Sequence, residues 1–108
     1  MSFLKIQLIK KEEYPEAMKL VQSVFMQYEA PDYSSEGVQA FQKSVIENPA
    51  FQDSLTLYGA YEEHKLLGVL GTRNSGSHIA LLFIDGNHHR RGIGRALFLA
   101  AKTAAREA

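Results

Sequence analysis

"LLFIDGNHHRRGIGRAL", Leu81 to Leu97, changes character twice within one short stretch. An apolar run ends at Asp85, a basic segment follows, and Gly92-Ile93-Gly94 opens a segment with helical spacing. Taken back to Ile79, the run sets Ile79, Leu81 and Phe83 on one strand face and Ala80, Leu82 and Ile84 on the other. A strand apolar on both faces needs cover on both. Downstream, Ile93, Ala96, Leu97, Ala100, Ala101 and Ala104 recur at the three-and-four spacing of one helix face, with small residues that let it lie close to a sheet. The stretch therefore predicts a buried strand, a basic glycine loop and a helix.

Working outward, "SLTLYGAY", "KLLGVLGTR" and "HIALLFID" are short apolar runs separated by "EEH" and "NSGS", which predicts a three-strand antiparallel meander. "FLKIQLI" predicts a first strand. Between them, Ala17, Met18, Val21, Phe25 and Tyr28 mark a helix beginning near Tyr14, with Pro15 suited to a first helical position. "EAPDYSSEG" breaks that pattern and offers serine caps. Val38, Phe41, Val45 and Ile46 mark a second helix that stops near Asn48, because Pro49 disfavours helical geometry in the residue before it. The predicted fold is α/β of the α+β type, in the order β-α-α-β-β-β-α, with a mainly antiparallel sheet. At 108 residues and 45% hydrophobic content, residues 1–108 are expected to form a single domain around one core.

Charge and composition remove several function classes. The formal net charge is zero, which argues against a general nucleic-acid coat, although the basic excess lies in the half carrying the glycine loop. There are no cysteines, so disulfides, thiolate metal sites and cysteine nucleophiles are excluded. His64 lacks a second histidine at helix-face spacing, and the adjacent His88 and His89 diverge in an extended loop, so no metal is assigned. No apolar run reaches membrane-spanning length and the first residues form no signal-peptide core, so a cytoplasmic protein is expected.

The loop itself suits an anion. A helix start presents unpaired backbone N–H groups and partial positive charge. Gly92 and Gly94 let a ligand approach the backbone closely, and Arg90, Arg91 and Arg95 add charges that match a pyrophosphate. A tight strand-to-helix turn with a solvated arginine face is the plainer alternative. Two familiar phosphate loops fail on spelling: Gly94 is followed by Arg95 and Ala96 rather than Lys and Ser or Thr, and Leu97 stands where a dinucleotide fingerprint needs its third small residue.

The element order and the run Leu81 to Leu97 resemble the GCN5-related N-acetyltransferases (GNAT). That family's signature is Gln or Arg, two residues, Gly, one residue, then Gly or Ala, at the helix after the fourth strand. Gly92 and Gly94 match it, and His89 takes the first place with Arg90 and Arg91 beside it. The resemblance implies that His89, Arg90, Arg91, Gly92, Ile93, Gly94 and Arg95 hold the pyrophosphate of acetyl-CoA. It also implies that the pantetheine arm lies along Phe83 and Ile84, with the Ile84 backbone N–H polarising the thioester carbonyl. By position, His78 becomes the candidate base, and Glu29, Asp32 and Tyr33 line the side from which an amine acceptor comes. The family continues into a fifth strand and a helix bearing a tyrosine acid, which this sequence, ending at Ala108, does not contain. The fold is thus expected to be C-terminally incomplete, with an open strand edge that favours a homodimer, another partner or a longer parent chain. Three functions remain open: direct acetyl transfer from acetyl-CoA to a primary amine, a non-catalytic CoA-binding or dimerising module, and a small anion- or RNA-binding domain.

Overall fold

The computed structural model of the protein describes residues 4–73, 78–86 and 92–107. Its elements are β1 (Leu4–Leu8), α1 (Tyr14–Val24), α2 (Ser35–Phe41), α3 (Pro49–Asp53), β2 (Thr56–Glu62), β3 (Lys65–Arg73), β4 (His78–Ile84) and α4 (Ile93–Glu107). α1 and α2 each run on into a widened π-helical turn, Phe25–Glu29 and Gln42–Ile46. The order matches the sequence reading except for α3. Pro49 does end the preceding helix, but it also occupies the first turn of a new one, where its missing N–H costs nothing. The Asn48 side chain caps that helix by accepting the Phe51 N–H at 3.0 Å.

The sheet runs β1-β2-β3-β4, with every neighbouring pair antiparallel. Glu63 and His64 form the two-residue turn between β2 and β3, at φ values of 52° and 68°. Such a turn matches the right-handed strand twist, and glycine or asparagine more often fills it. On one face of the sheet, Leu57, Val69, Leu81 and Phe83 pack against α1 through Val21 and Phe25. Phe41 stacks on Phe25 at 3.8 Å between ring centres and lies 6.0 Å from Phe83, tying α2 to β4. At the start of α1 the buried Tyr14 hydroxyl donates to the Leu55 carbonyl at 2.9 Å. On the opposite face, Ala60, Leu67 and Leu70 pack against Ile93, Leu97 and Ala101 of α4. Helices therefore lie on both faces of the sheet, although on the α4 side of β4 Ile79 and Leu82 stay 40% and 43% exposed.

Two details differ from the simple alternation. Leu8 is 61% exposed, while Ile9, just past β1, is buried in the α1-side core. In β4 the register steps from Gly71↔Leu81 to Thr72↔Ile79, leaving Ala80 as an extra residue, a β-bulge. Ala80 consequently packs toward the α1 side with Leu81. Ile79 falls on the α4 side, where it lines a groove with Thr72, Phe98 and Ala101. The expected grouping of Ile79 with Leu81 and Phe83 is thus corrected by one inserted residue.

Candidate functional site

The site is built where β4 ends and α4 begins. Asp85 donates its backbone N–H to the Leu67 carbonyl at 2.8 Å, and Gly68 pairs with Ile84. Backbone groups alternate in direction along an antiparallel strand, so Phe83 and Asp85 turn theirs toward β3 while Leu82 and Ile84 turn theirs toward the outer edge. Among the described residues, β4 has a strand neighbour on the β3 side only. The side chains do a different job. Phe83 is buried in the α1-side core and Ile84 is half-buried against the α4 side.

α4 starts with a residue only glycine adopts readily. Gly92 has φ of +76°, it is exposed, and a β-carbon built on it would meet nothing within 4 Å. Its carbonyl accepts the Ala96 N–H at 3.0 Å, the first bond of the helix. The N–H groups of Ile93, Gly94 and Arg95 therefore have no acceptor within α4. Ile93 anchors this turn from below, at 2% exposure, while the Arg95 side chain is exposed. A β-carbon on Gly94 would lie 3.9 Å from Leu82 Cδ2, so the first turn of α4 lies beside the Leu82 side chain of β4. An open glycine start, first-turn amides with no acceptor inside α4, and the end of β4 lie side by side. Together they fit an extended ligand carrying an anionic group at one end.

Of the residues singled out from the sequence, the structure brings Ile84, Gly92, Ile93, Gly94 and Arg95 to this junction, with Phe83 beside them in the core. His89, Arg90 and Arg91 lie outside the described residues. His78 is exposed at the opposite end of β4, where it pairs with Arg73. Six strand steps separate it from Ile84, about 20 Å, so the two are not brought together. Glu29, Asp32 and Tyr33 are exposed at the end of the α1 extension, and the Tyr33 ring meets Phe25 edge-on at 5.3 Å. No cluster able to hold a metal ion occurs among the described residues, nor is any described helix long and apolar enough to cross a membrane.

Sequence reasoning missed the other wall of the junction. The Tyr28 phenol lies directly on Gly86, where a β-carbon would oblige the tyrosine ring to shift. Beside it, Lys19, Ser23 and Gln27 of the α1 segment face Asp85 and Gly86 across a cavity of about 330 Å³. The available signal was their spacing: three polar residues four apart form a stripe beside the apolar face of the same helix.

Comparison with known proteins gives this arrangement its class. Residues 29–108 match the family described as acetyltransferase (GNAT) domain. The chain belongs to the GNAT acetyltransferase family. Its fold is similar to that of a GCN5-related N-acetyltransferase from Rhodopseudomonas palustris, with a TM-score of 0.80, 20% identity, and coverage of 100% of this chain and 70% of that one. It is also similar to the PaiA N-acetyltransferase of Thermoplasma acidophilum in complex with coenzyme A (TM-score 0.74, 14% identity, 97% of this chain and 73% of that one). A third likeness is to a GNAT acetyltransferase of Brucella melitensis in complex with acetyl-CoA (TM-score 0.70, 14% identity, 97% and 70%). No curated protein matches the sequence.

Proposed function

We propose that residues 1–108 form a single acetyl-CoA-binding domain that transfers the acetyl group directly to a primary amine. The observation that carries this reading is the open glycine start of α4 beside the end of β4, where the backbone groups of Leu82 and Ile84 turn outward. In this reading the pyrophosphate sits on the first-turn amides of Ile93, Gly94 and Arg95, with His89, Arg90, Arg91 and Arg95 contributing side-chain donors and Gly92 permitting close approach. The pantetheine arm follows Phe83 and Ile84 along the outer edge. Acetyl-CoA supplies an acyl carbon activated by its thiolate leaving group.

The Ile84 N–H is held by the β3–β4 ladder, so it stabilises charge developing on the carbonyl oxygen without reorganising. The amine nitrogen forms the new C–N bond, the C–S bond breaks with its electron pair going to sulfur, the nitrogen gives up a proton and the thiolate takes one. His78, the candidate base from the sequence, is a strand length from Ile84, so in this arrangement water at the open edge accepts the amine proton. Glu29 and Asp32, exposed at the end of the α1 extension, attract a cationic acceptor, with Tyr33 beside them. Small-molecule amines are the favoured acceptors, since two further structural neighbours are aminoglycoside acetyltransferases. The absence of cysteine favours direct transfer over an acyl-enzyme, and a cytoplasmic setting.

Isothermal titration with acetyl-CoA tests the binding step, and release of free thiol in the presence of amines tests transfer. Saturable binding that is lost in Gly92→Trp supports the reading, and no binding by the wild type overturns it. A second reading, a non-catalytic CoA-binding or dimerising module, is favoured by the pairing of β4 on one side only among the described residues. Binding without thiol release from any amine selects that module. Antiparallel pairing of β4 with its copy would then give a homodimer, read by light scattering.

A further inference from the structure

We infer that the face formed by α4 and the adjoining side of β4 docks on an anionic lipid bilayer. Membrane docking is independent of acetyl transfer and sets where the domain sits.

Four large apolar side chains that stay exposed fall together on this face. Leu82 and Ile79 follow one another along the α4 side of β4, and Phe98 and Leu99 of α4 are 44% and 48% exposed. Ile79 and Phe98 line the same groove, and Leu82 lies beside the first turn of α4. Exposed apolar residues scattered singly need no explanation, whereas a group rimmed by polar side chains marks a contact surface.

Charge selects the partner. α4 buries Ile93, Leu97 and Ala101 against the sheet. Arg95, Leu99, Lys102 and Arg106 recur at the three-and-four spacing of the opposite helix face, over about 16 Å of its length. All four are exposed, and neither Lys102 nor Arg106 forms a salt bridge among the described residues. From His64 to Arg106 the sequence holds seven Lys and Arg and one acid, Asp85, while residues 1–54 hold five against eight acids. The helices of that acidic half cover the other face of the sheet, so charge is separated across the sheet and an anionic surface draws the α4 side toward it. A bilayer offers fixed negative charge and hydrocarbon in one plane, which matches bases set around Phe98 and Leu99. A nucleic acid would match the charges and leave the apolar side chains without a partner. A second copy laid α4 against α4 would bring like charges together. No described helix is long and apolar enough to cross a membrane, so α4 would lie along the headgroup layer.

The test is co-sedimentation of the whole chain with vesicles of phosphatidylcholine alone and of phosphatidylcholine mixed with phosphatidylglycerol. The expected result is partition at least about tenfold stronger with phosphatidylglycerol, a preference lost at about 1 M salt. Lys102→Glu combined with Arg106→Glu should bring that preference to within about twofold, and Leu99→Ser should weaken partition about fivefold with no change of charge. The chain contains no tryptophan, so Leu99→Trp creates a single emission reporter. Its emission should shift to the blue with phosphatidylglycerol vesicles, while that of Tyr33→Trp, exposed on the α1 side, should stay in place. Equal partition into the two vesicles, a preference unmoved by the charge reversal, or a shift at Tyr33→Trp as large as at Leu99→Trp each overturns the inference. So does a wild type that partitions into neither, whether light scattering then shows a dimer or the chain binds RNA instead.

Discussion

Gly94→Ala sets stability against function. Gly94 is the second residue of α4, and alanine there relieves the entropic cost of a helical glycine, a gain of about 0.5 kcal/mol in a first turn. The added methyl meets Leu82 Cδ2 at 3.9 Å, an ordinary van der Waals contact, so no packing penalty offsets the gain. For a chain of this size the melting temperature should rise by roughly 2–4 °C. The same methyl lies between the first turn of α4 and the Leu82 side chain of β4, where the proposed ligand passes from phosphate to pantetheine. Losing even one charge-assisted hydrogen bond there costs about 1.5–3 kcal/mol, which raises the acetyl-CoA Kd roughly 10- to 150-fold. Differential scanning calorimetry and isothermal titration on the same preparation read both effects. A variant that is more stable and binds acetyl-CoA as well as the wild type would refute the placement of the pyrophosphate on this turn.

Other perturbations test the frame that holds the site. Gly68→Ala should destabilise by about 1–3 kcal/mol in urea titrations, because its β-carbon would sit 2.8 Å from Ile84 Cδ1 and 3.1 Å from Ile93 Cγ2; an unchanged midpoint would mean that α4 does not rest on β3 there. Tyr14→Phe leaves the Leu55 carbonyl without its buried donor and should cost about 1–3 kcal/mol, measured the same way. The Tyr61 phenol is pushed above its ordinary value of 10.0 by burial and by the negative charge of Glu13, against a hydrogen bond with Gln7. The folded state then holds that proton more tightly than the unfolded chain, so stability is full below pH 10.0 and declines as pH rises through the folded value. Tyr61→Phe should flatten that decline in thermal melts between about pH 9 and 11, and an identical slope would remove Tyr61 as its source. His78→Ala should leave kcat/KM within about twofold, given some 20 Å of strand between it and Ile84.

Much of this architecture was legible because it rests on local periodicity. The apolar spacing from Ala17 to Phe25 and from Ile93 to Ala104 located α1 and α4, and Gly92 and Gly94 located the turn between β4 and α4. What escaped is set by tertiary pairing. The bulge at Ala80 depends on how β3 meets β4, and no residue within "HIALLFI" announces it. α3 was hidden because Pro49 reads as a stop when considered only with what precedes it. The polar wall of Lys19, Ser23 and Gln27 looks like an ordinary solvated helix face until the fold puts Asp85 opposite. Ile84 could be chosen only through the resemblance, since its function in the proposal lies in a backbone N–H and its side chain is ordinary core.

The bulge at Ala80 makes β4 a strand with two phases. From Leu81 onward, odd positions serve the α1 side and even positions the α4 side, and before it the parity is reversed. The inserted residue is what lets Ile79 and Leu81, two apart in sequence, serve opposite faces as strand neighbours do. Removing Ala80 would make them adjacent and leave both on the faces they already occupy, so the strand would lose its bulge without exchanging side chains between the two cores. The extra residue therefore acts on the local bend and twist of β4, while the division of its other side chains between α1 and α4 is the same with or without it.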